Sequence, residues 1–230
     1  MSNNVPERIK VKKGNPAYFV KKNSGESFLP IGGNLIRLDN SEHANFVSDV
    51  YDKERTEKVL DLMNEYNFNT VRLFIAGRYP EQTGIAGKLD TTIGLDKEYM
   101  DNVVDFIKRA AEHGIYIIVT MIYIPINKYF KEIVGGPVVQ DGREVINGRK
   151  NLIVLSKNGV RAKKEFVRRF LQYIKKEDKN LLKTIFSLQI ENEEFLRADK
   201  KPFSLKEGQV KTADGNVYDM GNADSRQACA

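Results

Sequence analysis

Strand-length apolar runs alternate with helix-length amphipathic runs along this chain, an order that predicts an α/β fold on a mainly parallel sheet. Two of the runs carry most of the argument. Ile115 to Ile122 is almost continuously apolar and β-branched, as a parallel strand covered on both faces must be. Ile185 to Glu193 alternates instead. Phe186, Leu188 and Ile190 share one parity, while Ser187, Gln189, Glu191 and Glu193 share the other. Carboxylates are seldom buried without a partner, so the polar parity of this buried strand is expected to look into a site.

The elements follow in order. Ala17–Val20 and Ser27–Pro30 flank the turn-forming run Lys21 to Glu26 and predict an opening hairpin. A first buried strand is expected over Leu29–Asn34. Helix one runs from near Asp52 to Tyr66, with Val59, Leu62, Met63 and Tyr66 on its inward face and Asn67 ending it in the left-handed conformation. Strand two is Asn69–Ile75. Asp96 caps helix two, which turns Met100, Val103, Val104, Ile107 and Ala111 inward and stops at His113-Gly114. Strand three, already described, leads into a long loop holding an Asp141-Gly142 hairpin. Helix three covers Ser156–Lys176 and strand four follows it. A second hairpin spans Val210–Tyr218, and Asp224 reads as the N-cap of a last helix.

Composition removes several classes of function. The net charge of +6 invites a nucleic-acid reading, but the densest basic stretch, Arg161 to Lys179, is interleaved with Val167, Phe170, Leu171 and Ile174 at helical spacing. That is the pattern of a solvated helix face, without the aromatic interleaving of an RNA- or DNA-binding signature. No run reaches the roughly 18 apolar residues that a membrane span needs. The N-terminus has no signal-peptide core, so the chain as it stands is expected in the cytoplasm, or outside the cell if a leader has been removed. Cys229 is the only cysteine, which excludes intrachain disulfides and a cysteine-based zinc site. His43 and His113 lack a metal-binding spacing, and Asp214, Asn216 and Asp219 read as turn residues. No cofactor is expected, and no Gly-x-Gly-x-x-Gly, phosphate loop or Gly-x-Ser-x-Gly elbow occurs.

Long loops after the strands suit a (β/α)8 TIM-barrel type of fold, whose chemistry sits at the C-terminal strand ends. Four β/α units fill the chain, and eight would need about 400 residues, within the upper size range of such barrels. The expectation is therefore a polar segment over residues 1–16, then the N-terminal half of a barrel over 17–230, its first four units preceded by the hairpin.

Four motifs in order resemble the clan of retaining glycoside hydrolases with (β/α)8 barrels, which includes cellulases and mannanases. They are Phe28-Leu29-Pro30-Ile31-Gly32-Gly33-Asn34, Phe68-Asn69-Thr70-Val71-Arg72-Leu73, Gly114-Ile115-Tyr116-Ile117-Ile118-Val119, and Asn192-Glu193. The resemblance implies hydrolysis of a β-linked glucan or mannan with retention. It implies Glu193 as the acid/base, Asn192 on the sugar 2-hydroxyl, and Arg72 beside the nucleophilic carboxylate. Asn34 and Tyr123 join them as substrate-binding candidates. Arg72 has a second reading, a buried arginine tying barrel strands together. Tyr123 likewise either contacts sugar or packs.

Three features depart from the clan pattern. Glu194 stands where many relatives have proline, no histidine ends strand three, and tryptophan is absent, leaving Tyr79, Tyr123 or Tyr129 to stack on sugar. The clan's nucleophile is a glutamate on a seventh strand, beyond this chain, so residues 1–230 alone are expected to be inactive. Glu191, two residues from Glu193 on one strand, cannot reach across the sugar and is expected to line the barrel, paired to Arg72 or water. The expected partner is an oligo- or polysaccharide. The alternative is a non-catalytic carbohydrate-binding half-barrel that self-associates through open sheet edges.

Overall fold

The computed structural model describes residues 6–36, 45–76, 84–135, 150–192, 199 and 202–229. These residues fall into two compact units. The first holds the opening hairpin, the parallel sheet and the helices that cover it. The second holds residues 86–95, 124–169 and the segment from 193 onward.

In the first unit, β4 (Gly32–Leu35), β5 (Thr70–Ala76), β6 (Tyr116–Ile122) and β7 (Ile185–Gln189) form one parallel sheet in sequential order, following β1 (Ile9–Lys12), β2 (Asn15–Lys21) and β3 (Ser27–Phe28). Sequential order is what a barrel requires, since each right-handed crossover then advances by one strand. Asn34 lies opposite Arg72, and Arg72 opposite Ile118; Thr120 lies opposite Gln189. The core is densest on β6, where Ile117, Val119, Thr120 and Met121 are fully buried, as its sequence predicts.

The first strand starts later than its apolar residues suggest. Leu29 and Ile31 are exposed, and pairing begins at Gly32. A Cβ on Gly32 would lie 1.5 Å from the Thr70 carbonyl oxygen, so only glycine lets the two backbones approach here. Strand four is only half-buried, with Ser187 and Ile190 exposed. Among the described residues neither β4 nor β7 has a strand on its outer side, which is why neither is buried as expected.

Helix α1 (Lys53–Glu65) is capped by Asp52, whose side chain accepts from the Arg55 N–H, and Asn67 follows it at φ 58°. Its inward stripe is Thr56, Leu60 and Met63, while Leu62 and Tyr66 are exposed, so the helix is rotated from the expected face. The rotation brings Glu57 onto Arg109 of α2 (Lys97–Glu112), an ion pair to which Asp105 adds a second carboxylate at 2.8 Å. Helix α2 matches expectation from its Asp96 cap to Gly114 at φ 70°.

The opening strands run antiparallel, with β1 an addition to the expected hairpin. Ile9, Phe19, Phe28, Tyr116 and Phe186 pack as one cluster, with edge-on ring contacts of 4.8–4.9 Å, and the Tyr116 hydroxyl donates to the Glu7 carbonyl at 2.6 Å. Tyr116 opens β6 and Phe186 lies near the start of β7. The hairpin therefore covers the N-terminal strand ends, where barrels keep stability rather than chemistry.

In the second unit, α3 (Lys128–Val134) and α4 (Lys150–Leu155) occupy ground expected to be loop. The Asp141-Gly142 hairpin lies outside the described residues. Asn127 caps α3 through the Phe130 N–H and donates to the carbonyls of Ala86 and Gly94, a set of partners that explains its complete burial. The second hairpin forms as expected, from β8 (Gln209–Lys211) and β9 (Val217–Asp219) with Gly215 at φ 96°. The last helix, α6 (Ala223–Cys229), is capped by Asn222 rather than Asp224.

Helix α5 (Lys157–Glu177) keeps Lys164, Arg168, Lys175 and Lys176 on its exposed side. Glu165 is nevertheless enclosed by cations. It accepts from Arg168 at 2.6 Å, from Arg169 at 2.7 Å and from the Tyr129 hydroxyl at 2.6 Å, and the Arg169 guanidinium stacks 4.2 Å from the Tyr129 ring. The Arg168 hydrogen bond, then those of Tyr129 and Arg169, outweigh burial and hold its carboxyl down to about 2. A carboxyl whose folded value lies below its ordinary 4.5 stabilises the fold above that value and stops doing so as pH falls toward 2. The melting-temperature advantage of wild type over Glu165→Gln should therefore shrink on acidification from about pH 5 to about pH 2. A gap independent of pH over that range would contradict the assignment.

Candidate active site

The polar parity of the sheet converges on one guanidinium. Arg72 points from the second strand of the sheet, and its Nε donates to Thr120 Oγ1 at 2.9 Å and to Gln189 Oε1 at 3.0 Å. Its Nη2 donates to Gln189 Oε1 at 2.7 Å and to Asn192 Oδ1 at 2.8 Å, and Nη1 reaches Asn34 Oδ1 at 3.5 Å. Thr120 also donates to Gln189 Oε1 at 3.0 Å. The guanidinium carbon lies 4.5 Å from the Phe74 ring centroid, giving it an apolar face on its own strand.

This arrangement follows from register. Parallel pairing brings Asn34 beside Arg72, while Thr120 stands one pleat beyond Arg72's opposite residue and level with Gln189. A rigid planar fork with five donors can satisfy acceptors from three neighbouring strands at once, which a lysine cannot. Arg72 thus ties the strands together, the second of its two expected readings. Fixed in this way, it presents a positive charge at the level where Asn192 leaves the sheet.

Of the other expected residues, Asn34 and Asn192 are brought onto Arg72. Tyr123 follows β6 directly, is 51% exposed and has φ 58°, and its backbone N–H donates to both carboxylate oxygens of Glu191 at 3.2 Å. The Glu191 carboxylate accepts from the backbone amides of Tyr123 and Asn192. Glu193, Glu194, His43 and Tyr79 lie outside the described residues. Tyr129 is engaged with Glu165 and Arg169. Thr120 was not singled out by the sequence. Its signal is weak, a hydroxyl on the inward parity of an otherwise apolar strand.

Among the described residues no group of three or more His, Cys, Asp and Glu side chains is placed to hold a metal ion, and no helix is long and apolar enough to cross a membrane.

Comparison with known proteins supplies the context. Residues 29–123 match the family model for Cellulase (glycosyl hydrolase family 5), a span that runs from Leu29, three residues before β4, to Tyr123, directly after β6. Among solved structures, the chain is similar to the β-mannanase of the blue mussel Mytilus edulis, with a TM-score of 0.53 and 19% identity over 81% of this chain and 46% of that one. It is similar also to the exo-β-1,4-mannosidase Op5Man5 of Opitutaceae bacterium strain TAV5, with a TM-score of 0.50 and 15% identity over 80% of this chain and 28% of that one. The chain thus spans less than half the length of either structure. No curated protein matches the sequence. Residues 29–123 are thus similar to a glycosyl hydrolase family 5 segment, and the structural likeness shows an α/β fold of partial-barrel type.

Proposed function

We propose that the full-length protein is a glycoside hydrolase that cleaves β-linked mannan or glucan with retention, with Glu193 as acid/base. The observation that carries this reading is the convergence of Asn34, Thr120, Gln189 and Asn192 on Arg72, at the strand level where a barrel keeps its chemistry, with Asn34, Arg72 and Thr120 inside the span that matches the cellulase model. The names of the two structural relatives, a β-mannanase and an exo-β-1,4-mannosidase, point to mannan as the first polymer to try.

In this reading Glu193 protonates the glycosidic oxygen as the bond breaks, then takes a proton from the water that releases the sugar. Asn192, oriented by Arg72, offers its amide N–H to the sugar 2-hydroxyl, a contact that strengthens in the oxocarbenium-like transition state. Arg72 faces the position of the nucleophilic carboxylate and keeps it ionised. Retention needs two carboxyl groups about 5–5.5 Å apart across the scissile bond. Glu191 cannot be the second, since it is only two residues from Glu193 in the chain and is turned toward the Tyr123 amide. The nucleophile is assigned to a segment outside residues 1–230, which by themselves are inactive.

The test is hydrolysis of β-1,4-linked manno- and gluco-oligosaccharides by the full-length protein, with product anomers followed by proton NMR. The expected first product is the β-anomer. First appearance of the α-anomer, or no cleavage of either series, would contradict the proposal.

A further inference from the structure

Glu191 has an unusual pair of backbone partners. Both of its carboxylate oxygens lie 3.2 Å from the Tyr123 nitrogen, and Oε1 also accepts from the Asn192 N–H at 3.1 Å. Tyr123 sits at φ 58°, in the left-handed region. A bulky side chain there is strained and persists only where the surroundings over-determine it. No glycine relieves the turn, because β6 ends Met121-Ile122 and Tyr123 follows it. A charged acceptor shared by two amides is a strong enough partner to hold that conformation, since hydrogen bonds to an ionised group are roughly twice as strong as neutral ones.

Asn192 is consequently held twice. Its side chain accepts from Arg72 Nη2 at 2.8 Å, and its backbone N–H is held by Glu191. The two anchors approach from different directions, Arg72 from β5 and Glu191 from just past the end of β7, where its contact with Tyr123 reaches the end of β6. The residue so fixed is the one immediately before Glu193.

We propose that Glu191 is a positioning residue. Its carboxylate staples the C-terminal end of β6 to the segment just after β7, keeps Tyr123 left-handed, and sets the peptide that carries Asn192. The staple is a property of the fold; its consequence for glycoside cleavage rests on the function proposed above.

The experiment is backbone NMR on the isotopically labelled full-length protein, comparing wild type with Glu191→Ala and Glu191→Gln. In wild type, Tyr123 should show the strong intraresidue amide-to-Hα contact of a positive φ. In Glu191→Ala that contact should be lost, together with the downfield shifts of the Tyr123 and Asn192 amides. Glu191→Gln keeps an acceptor oxygen and should restore most of both. Retention of the contact and of both shifts in Glu191→Ala would overturn the proposal. A stability cycle provides the second reading. Glycine accepts a positive φ without strain, so Glu191→Ala should lower the melting temperature less in a Tyr123→Gly background than in wild type. Equal losses would overturn it. None of these readouts uses activity. A full-length protein with no glycosidase activity would remove the proposed function and leave the staple, while unchanged amides in an active enzyme would do the reverse.

Discussion

Replacing Arg72 with methionine should cost the protein about 2–4 kcal/mol of stability and lower kcat/KM about 10²–10³-fold in the full-length enzyme. The stability part follows from the acceptors left behind. Gln189 Oε1 takes two of the guanidinium's hydrogen bonds, at 2.7 and 3.0 Å, and Asn192 Oδ1 and Thr120 Oγ1 take one each. Hydrogen bonds to a charged group contribute about 1.5–3 kcal/mol each, and partners orphaned in a half-buried position lose most of that. Water can reach part of this site, which keeps the total below a simple sum. Methionine fills much of the arginine stem's volume, so the effect reports the lost donors rather than a cavity. The activity part follows from charge. A fixed cation that keeps the nucleophilic carboxylate ionised and oriented acts where the dielectric is low, and removing one such preorganised donor typically costs about two to three orders of magnitude. Arg72→Lys should fall between, because a point charge cannot reach Thr120, Gln189 and Asn192 together. Urea melts alongside kcat/KM measure both parts. A methionine variant as stable and as active as wild type would contradict them.

Much of the sheet was legible because its signals are local. The continuous apolar run of β6 is a burial statement in itself, and the Asp96 cap with Gly114 at φ 70° brackets α2 through side-chain and backbone preferences that need no partner. The failures share the opposite cause. The inward face of α1 is set by packing against α2 and by the Glu57–Arg109 pair, so Thr56 is buried while the more apolar Leu62 and Tyr66 face out. The first strand begins at Gly32, not at Leu29, because close approach to Thr70 matters more there than apolarity. The site shows the same division. The polar parity of Gln189 and Glu191 can be read from alternation along a single strand. Their partners cannot, since Thr120 and Tyr123 reach them only through strand pairing across more than sixty residues, and a tyrosine at φ 58° contradicts its own local preference.

Glu193→Gln should abolish turnover of unactivated β-glycans by the full-length protein, a loss of at least the 10²–10⁴-fold that a general acid typically contributes. Glutamine has nearly the same shape and hydrogen-bonding reach as glutamic acid, so binding should survive; only the proton to be transferred is gone. The two chemical steps should then separate. An aryl glycoside with a good leaving group departs without protonation, so the glycosyl-enzyme still forms. Its hydrolysis needs Glu193 as base, and therefore stalls. Intact-protein mass spectrometry of Glu193→Gln mixed with a dinitrophenyl β-mannoside or β-cellobioside tests this directly. The account predicts a mass increase of one glycosyl unit that decays slowly. Undiminished hydrolysis of natural glycan by the variant, with no adduct, would contradict it.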